Sequence, residues 1–305
     1  MYGRSLSVLV LSLVLLAAPA YGLATRTWVN GNGSDANPCS YTAPCRTFSG
    51  AYLNTSIGGT ISVQNPGSYG TLTISKSITV DGGGHFATVR HTTSDGVTVN
   101  FTASDVSGNV VVLRGLSFDS TGVGYGVANF STATTHLHIE DCTFTREGAG
   151  IGNFTTGVGA TMKLKNVSIR HSNVYGVIVS PPAGAAFKLT MIDVHVNDGG
   201  TYGLRVTNNT NGTVTDSSFQ GNDHGASIEN ASVHLKFTRT IFAGNTNGLR
   251  HTVSGITTLI DRCSIFGNGT GISNTGSTVL GMSNNSIANN LTDVSGNAVQ
   301  SLLQQ

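Results

Sequence analysis

The amino-acid sequence predicts an all-β solenoid, and three observations predict it. A hydrophobic landmark recurs at Phe118, Phe144, Ile169, Val196, Phe219, Phe242, Ile265 and Ile287, with spacings of 22 to 27 residues. A period of that length marks units that bury their apolar face only by stacking on their neighbours. The composition is the second observation: Gly, Ser, Thr and Asn are mixed with short Val, Ile and Leu runs, and only 10% of residues are charged. Turn formers between brief β-type segments suit strands. The third is the local pattern. Positions seven, five and two before the landmark, and the landmark itself, are mostly apolar or small, as in Val111, Leu113, Leu116 and Phe118, or Leu137, Ile139, Cys142 and Phe144. A two-three-two spacing reads as one strand, a bend, and a second strand with its alternation re-phased. A later Gly-apolar pair, from Gly126-Val127 to Gly271-Ile272, opens a third. Three short strands per coil, each pairing with its equivalent in the next coil, describe a parallel β-helix.

The elements follow in chain order. Arg4 precedes an apolar run from Leu6 to Ala18, and small residues follow at Ala20, Gly22 and Ala24. This reads as a secretory signal peptide over 1–24, too short and wrongly flanked for a membrane span. The cleavage site is left open among those three small residues, and the mature chain is expected to be secreted, either extracellular or periplasmic. Residues 25–57 form an N-terminal cap. Within it Cys39 and Cys45 are expected to close a small disulfide loop, given an exported chain. Phe48, Ala51 and Tyr52 recur at helical spacing and predict a short helix over the open end of the solenoid, although Gly50 lowers helix propensity. Residues 58–297 form the solenoid and 298–305 a C-terminal tail. Cys142 and Cys263 hold the same place in two coils five units apart, about 24 Å along the stack. Disulfides need Cα atoms within about 7 Å, so both are expected unpaired and buried.

The stretch from Gly58 to Gly70 and the following Leu72–Gly82 segment resemble the opening coil of right-handed parallel β-helix proteins of the pectin-lyase-like superfamily. The resemblance extends to about Asn297, and the Arg26–Gly31 segment with the two nearby cysteines is similar to small exported bacterial members. It implies a right-handed coil and a range of activities, from polysaccharide lyases, hydrolases and epimerases to adhesins. One fold hosts many functions, so the reaction is not implied. Polygalacturonase-like members would carry adjacent aspartates, and this chain has no Asp-Asp pair. The nearest fragment, Asn222-Asp223-His224-Gly225, reads as a polar turn. Pectate-lyase-like members would cluster carboxylates for calcium, and no such cluster stands out.

Stacking nominates the candidate site. The position before the landmark carries a hydroxyl row broken by His195, and the bend position carries Asp193, Asp216 and Arg239. With Arg170, one after its landmark, these five should form one patch with steps of about 4.8 Å. Asp193, His195 and Asp216 are the catalytic candidates for general acid–base work on a sugar chain; Arg170 and Arg239 would hold an acidic group. The alternative reading keeps the aspartates as turn formers and the Asp216–Arg239 pair as a surface ion pair. Tyr125, Tyr175 and Tyr202, which precede the loop glycines in three units, are candidates for stacking on sugar rings, or for a purely structural stack. Arg205 and Arg250 share the outer face of the third strand, with a solvated face as the default account.

Sixteen basic against fifteen acidic residues give a formal charge of +1, and no basic stripe appears, which argues against nucleic acid. The histidines and cysteines do not form a metal set, and no cofactor is expected. The expected partner is a polysaccharide or cell-surface glycan, engaged by a monomer with no transmembrane segment. The chain would bind, and in one reading process, that glycan along its flank as a lyase or hydrolase. The competing reading is a non-catalytic adhesin or matrix protein.

Overall fold

In the computed structural model, which describes residues 22–282 and 284–302, the landmark residues stack in one column. Phe118 pairs in register with Phe144, and the register runs on through Ile169, Val196, Phe219, Phe242 and Ile265 to Ile287. Val89 extends the column one coil upstream by pairing with Phe118. All strand pairs are parallel, and the third strands alone form a ten-stranded sheet. The molecule is thus a right-handed parallel β-solenoid with three strands per coil. The proposed signal segment over 1–24 lies outside the described residues as far as residue 21. Among the described residues, no helix is long and apolar enough to cross a membrane.

The inside of the rod is the predicted core. Val111, Leu113, Leu116 and Phe118, and their equivalents through Val196, are fully or nearly fully buried. The Phe118 and Phe144 rings stack at 4.4 Å, and Phe219 and Phe242 at 5.5 Å. Cys142 and Cys263 are free and buried in the core two positions before the landmark column, as the coil alignment requires. Burial pushes the Cys142 thiol up to about 12, so it remains an apolar filler.

The bend between first and second strands has a defined backbone. Gly115, Asp141, Asn166, Asp193, Asp216, Arg239 and Arg262 all have φ between 48° and 63°. Left-handed φ is costly for most L-residues and least so for Gly, Asn and Asp, which explains the residue choice down most of this row. Glycine is required at a second column, the entry to the third strand. A Cβ on Gly176 would meet Val196 Cγ1 at 2.4 Å and the Gly203 carbonyl oxygen at 2.7 Å. The same collision with the next coil recurs at Gly203, Gly225 and Gly248.

Between second and third strands an asparagine ladder ties the coils together. Asn245 Oδ1 accepts from the backbone N–H and the side-chain amide of Asn222, both at 3.0 Å. Its own amide donates to Asn268 Oδ1 at 2.9 Å and to the Phe219 carbonyl at 3.1 Å. Asn268 repeats the arrangement on Asn290. Buried backbone groups at these turns therefore find partners in the next coil.

The N-terminal end is closed twice. Strand β1 (Ala24–Val29) pairs with β2 (Thr55–Val63) along one edge. Along the other, Trp28 N–H donates to the Cys39 carbonyl and Cys45 N–H to the Trp28 carbonyl, at 2.8 and 2.9 Å. The Cys39–Cys45 disulfide closes that segment into a loop that covers an otherwise free strand edge. Helix α1 (Phe48–Asn54) follows, capped by Thr47, with Phe48 and Ala51 buried. Gly50 is explained by contact: a Cβ there would lie 2.3 Å from the carboxylate of Asp35, which accepts from the Arg46 and Thr47 backbone N–H groups.

Candidate functional site

The second-strand row holds the predicted catalytic candidates on adjacent coils. His195 Nε2 lies 2.9 Å from Asp193 Oδ1, and its Nδ1 lies 2.9 Å from Ser218 Oγ. Asp216 accepts from Arg239, with Nη2 at 2.7 Å from Oδ2, and this guanidinium holds its carboxyl below the usual range. Arg170 pairs in backbone register with Asn197, on the same flank. The structure thus makes two pairs, Asp193 with His195 and Asp216 with Arg239, on the outside of the rod. Asp193 and Asp216 also sit at the left-handed bend, which supplies a turn-forming reason for both.

A denser arrangement lies on the third-strand face. From Tyr125 onward the first position of the third strand lies on the outer side, and register stacks Tyr125, Ala149, Tyr175, Tyr202, His224 and Asn247. Tyr175 and Tyr202 stack at 5.5 Å with 21° between ring planes, and the His224 ring follows 5.2 Å from Tyr202. The next outward position carries Arg205, Ser227 and Arg250 in register. Arg205 holds Glu229 bidentately, with Nε–Oε1 at 3.0 Å and Nη2–Oε2 at 2.7 Å. It also donates to the Tyr175 hydroxyl at 3.0 Å and lies 5.1 Å over the Tyr202 ring. Ion pair, phenol and ring faces together fix the guanidinium in one geometry.

His224 completes the row. Arg250 Nη1 donates to its Nε2 at 3.0 Å, and the Asn247 side-chain amide lies 3.2 Å from its Nδ1. Burial, followed by the charge of Arg250, pulls the imidazole below its ordinary pKa. The ring is therefore neutral at neutral pH. The fragment read as a polar turn is half a turn: Asn222 belongs to the buried ladder, while His224 opens a strand and joins the cluster.

Ala149 makes the shape useful. Its small side chain interrupts the ring column between Tyr125 and Tyr175 and leaves a slot of about 230 Å³, also lined by Gly148 and Val174. The Tyr125 and Tyr175 backbones are two coil steps apart, roughly 9.6 Å, and the Tyr125 ring leans over Gly152 and packs edge-on to Phe154 at 5.4 Å, so the slot is walled by tyrosine side chains. Sequence reasoning found Tyr125, Tyr175 and Tyr202 and noted Arg205 and Arg250. It missed Glu229 and Ala149, because a partner 24 residues downstream and a missing side chain leave no local signal. Among the described residues no group of three or more His, Cys, Asp or Glu could hold a metal.

Residues 106–292 match the family described as the right handed beta helix region, and the chain belongs to that family. Among solved structures, the pectate lyase Pel9A matches at 16% identity and a TM-score of 0.62, covering 92% of this chain and 78% of the other. The lacto-N-biosidase of glycoside hydrolase family 136 from Eubacterium ramulus matches at 10% identity and a TM-score of 0.53, covering 92% and 68%. At these identities the likeness is one of fold, that of the pectin-lyase-like parallel β-helix. No curated protein sequence matches the chain.

Proposed function

We propose that this protein is exported and binds a polysaccharide along its third-strand face. The observation that carries the reading is the slot at Ala149 between Tyr125 and Tyr175, continued by the Tyr202 and His224 rings. A sugar ring presents apolar C–H faces and polar edges. Tyrosines offer a matching flat face with a hydroxyl at the rim, and they lose little entropy when ordered. Arg205 and Arg250 stand beside this row to donate hydrogen bonds to the edges. Both structural relatives reported above carry names of polysaccharide- or oligosaccharide-acting enzymes, which supports the ligand class. Export is supported by the disulfide and by the apolar N-terminal run. Cleavage after Ala20 or Gly22 would leave β1 intact, whereas cleavage after Ala24 would remove its first residue.

The face is built for holding rather than cutting. Both oxygens of Glu229 are engaged by Arg205, and His224 is neutral and already accepts from Arg250. Processing, if the chain also performs it, is assigned to Asp193, His195 and Asp216, with Arg170 and Arg239 beside them. The deciding experiment measures binding and product release on a panel of neutral and acidic polysaccharides. Tyr175→Ala is expected to weaken binding of the neutral polysaccharides about tenfold, equivalent to roughly 1.4 kcal/mol. Asp193→Ala and Asp216→Ala are expected to leave that binding unchanged. Unchanged binding of the neutral polysaccharides in Tyr175→Ala overturns the third-strand reading. Product release by the wild type, abolished in both aspartate variants, converts the protein into an enzyme with its centre on the second-strand row.

A further inference from the structure

The third outer face, that of the first strands, carries a separate feature. Two outward rows run along it in register. One reads His136, Thr161, Lys188, Asn211, His234 and Thr257; the other reads His138, Lys163, Thr190, Thr213, Lys236 and Leu259. Three lysines and three histidines fall in these twelve positions, with no Asp or Glu. Lys165 lies on the same face, so four of the chain's five lysines share it. Among the described residues, none of these lysines takes part in an ion pair. The acids closest in sequence belong to the row nearest the bend and are engaged: Glu140 by Arg114 at 3.5 Å, and Asp261 by Arg262 at 3.2 Å. The field is felt locally, since burial and then Lys163 lower the pKa of His138.

This face is also grooved. A trough of about 660 Å³ spans five coils from Thr161 to Thr257, and its middle coil presents only Asn211, Gly212 and Thr213. Lys188 and Lys236 stand on the coils either side of that short-chain floor. They are two steps apart, roughly 9.6 Å. A smaller hollow of about 240 Å³ continues from Asn211 and His234 toward Asn209 and Ser232, adding amide and hydroxyl groups. Cations without ion-pair partners, set on the walls of a trough whose exposed lining is mainly apolar, with Leu189, Leu235 and Leu259 beside Asn211 and Thr213, complement a linear chain that carries anionic groups between apolar sugar faces.

We infer that the first-strand face is a second glycan-binding surface, selective for an anionic polysaccharide, whether carboxylated or sulfated. It is distinct from the third-strand face and does not depend on it. Lysine ammonium groups act as point charges with no demand for a planar acid, so they accept either anion. The ligand is a glycan rather than nucleic acid because the one aromatic residue lining the trough, Phe187, is buried, so no aromatic face is open for stacking bases.

The test measures retention of the exported chain on immobilised polyuronate, dextran sulfate, a neutral glucan and duplex DNA, as a function of salt. Binding to at least one anionic glycan is expected, falling as salt rises, and the tighter of the two identifies the anion. The double variant K188E/K236E should bind at least tenfold more weakly with unchanged far-UV circular dichroism and melting temperature. Tyr175→Ala should retain anionic binding, which separates a failure of this surface from a failure of the third-strand face. Unchanged binding in K188E/K236E overturns the inference, as does DNA binding as tight as that of either glycan.

Discussion

His251 shows how the solenoid imposes chemistry on one side chain. It points inward, its Nδ1 donates to Asn274 Oδ1 (3.3 Å) and its Nε2 accepts from the Thr258 hydroxyl (3.0 Å), and burial lowers its pKa from 6.5 to about 4. The folded state thus prefers the neutral ring. Its contribution is complete above pH 6.5 and is lost as pH falls through about 4, a change of about 3 kcal/mol for that shift. His91 works in the opposite direction. Burial lowers its pKa, but contact with Glu147 at 2.7 Å outweighs burial and raises it, so its contribution fades as pH rises through the raised value. Urea unfolding of wild type and His251→Asn between pH 7 and pH 4 isolates the first effect. Wild type should lose more stability than the variant over that window; parallel losses would show that His251 does not titrate on unfolding.

At the scale of the element, the turn between second and third strands is held by side chains. Asn245 makes four hydrogen bonds to neighbouring coils, two as acceptor and two as donor. Asn245→Ala leaves the Asn222 N–H and the Phe219 carbonyl without these partners, at about 1–3 kcal/mol for each buried group. A loss of at least about 2 kcal/mol is expected by chemical denaturation; a loss below 1 kcal/mol would mean that water replaces the ladder. Much of this scale was legible. The bend was read from the two-three-two spacing, because apolar alternation is a local property of sequence. Its residues were read only as turn formers; the left-handed backbone came from the structure, and it accounts for Gly115, Asp141 and Asn166 there. The column above Phe118 was missed: Val89 precedes it by 29 residues, and a loop of irregular length hides the period.

The whole molecule behaves as a stack in which each coil touches its neighbours, so stability should be nearly a sum of coil and interface contributions. Deleting residues 220–242 removes one period between Phe219 and Phe242, and it restores every inner column. The shortened chain should keep its β-type circular dichroism and lose about 4.8 Å of length by solution scattering. A chain that fails to fold would show that the coils are not interchangeable modules. The two proposed glycan surfaces belong to this scale as well, since each is assembled from one or two residues per coil.

The sequence by itself determined the period, the inner columns, the disulfide loop, the capping helix and the unpaired state of Cys142 and Cys263. These follow from hydrophobic periodicity and from distances along a regular stack. The tertiary structure decided which outward residues meet. Arg205 reaches Glu229 across 24 positions, Ala149 opens a slot only because Tyr125 and Tyr175 lie above and below it, and four lysines scattered between 163 and 236 share one face. Outward positions are free of the packing constraint that makes inward ones periodic. Their pattern therefore appears only when the coils are laid on one another.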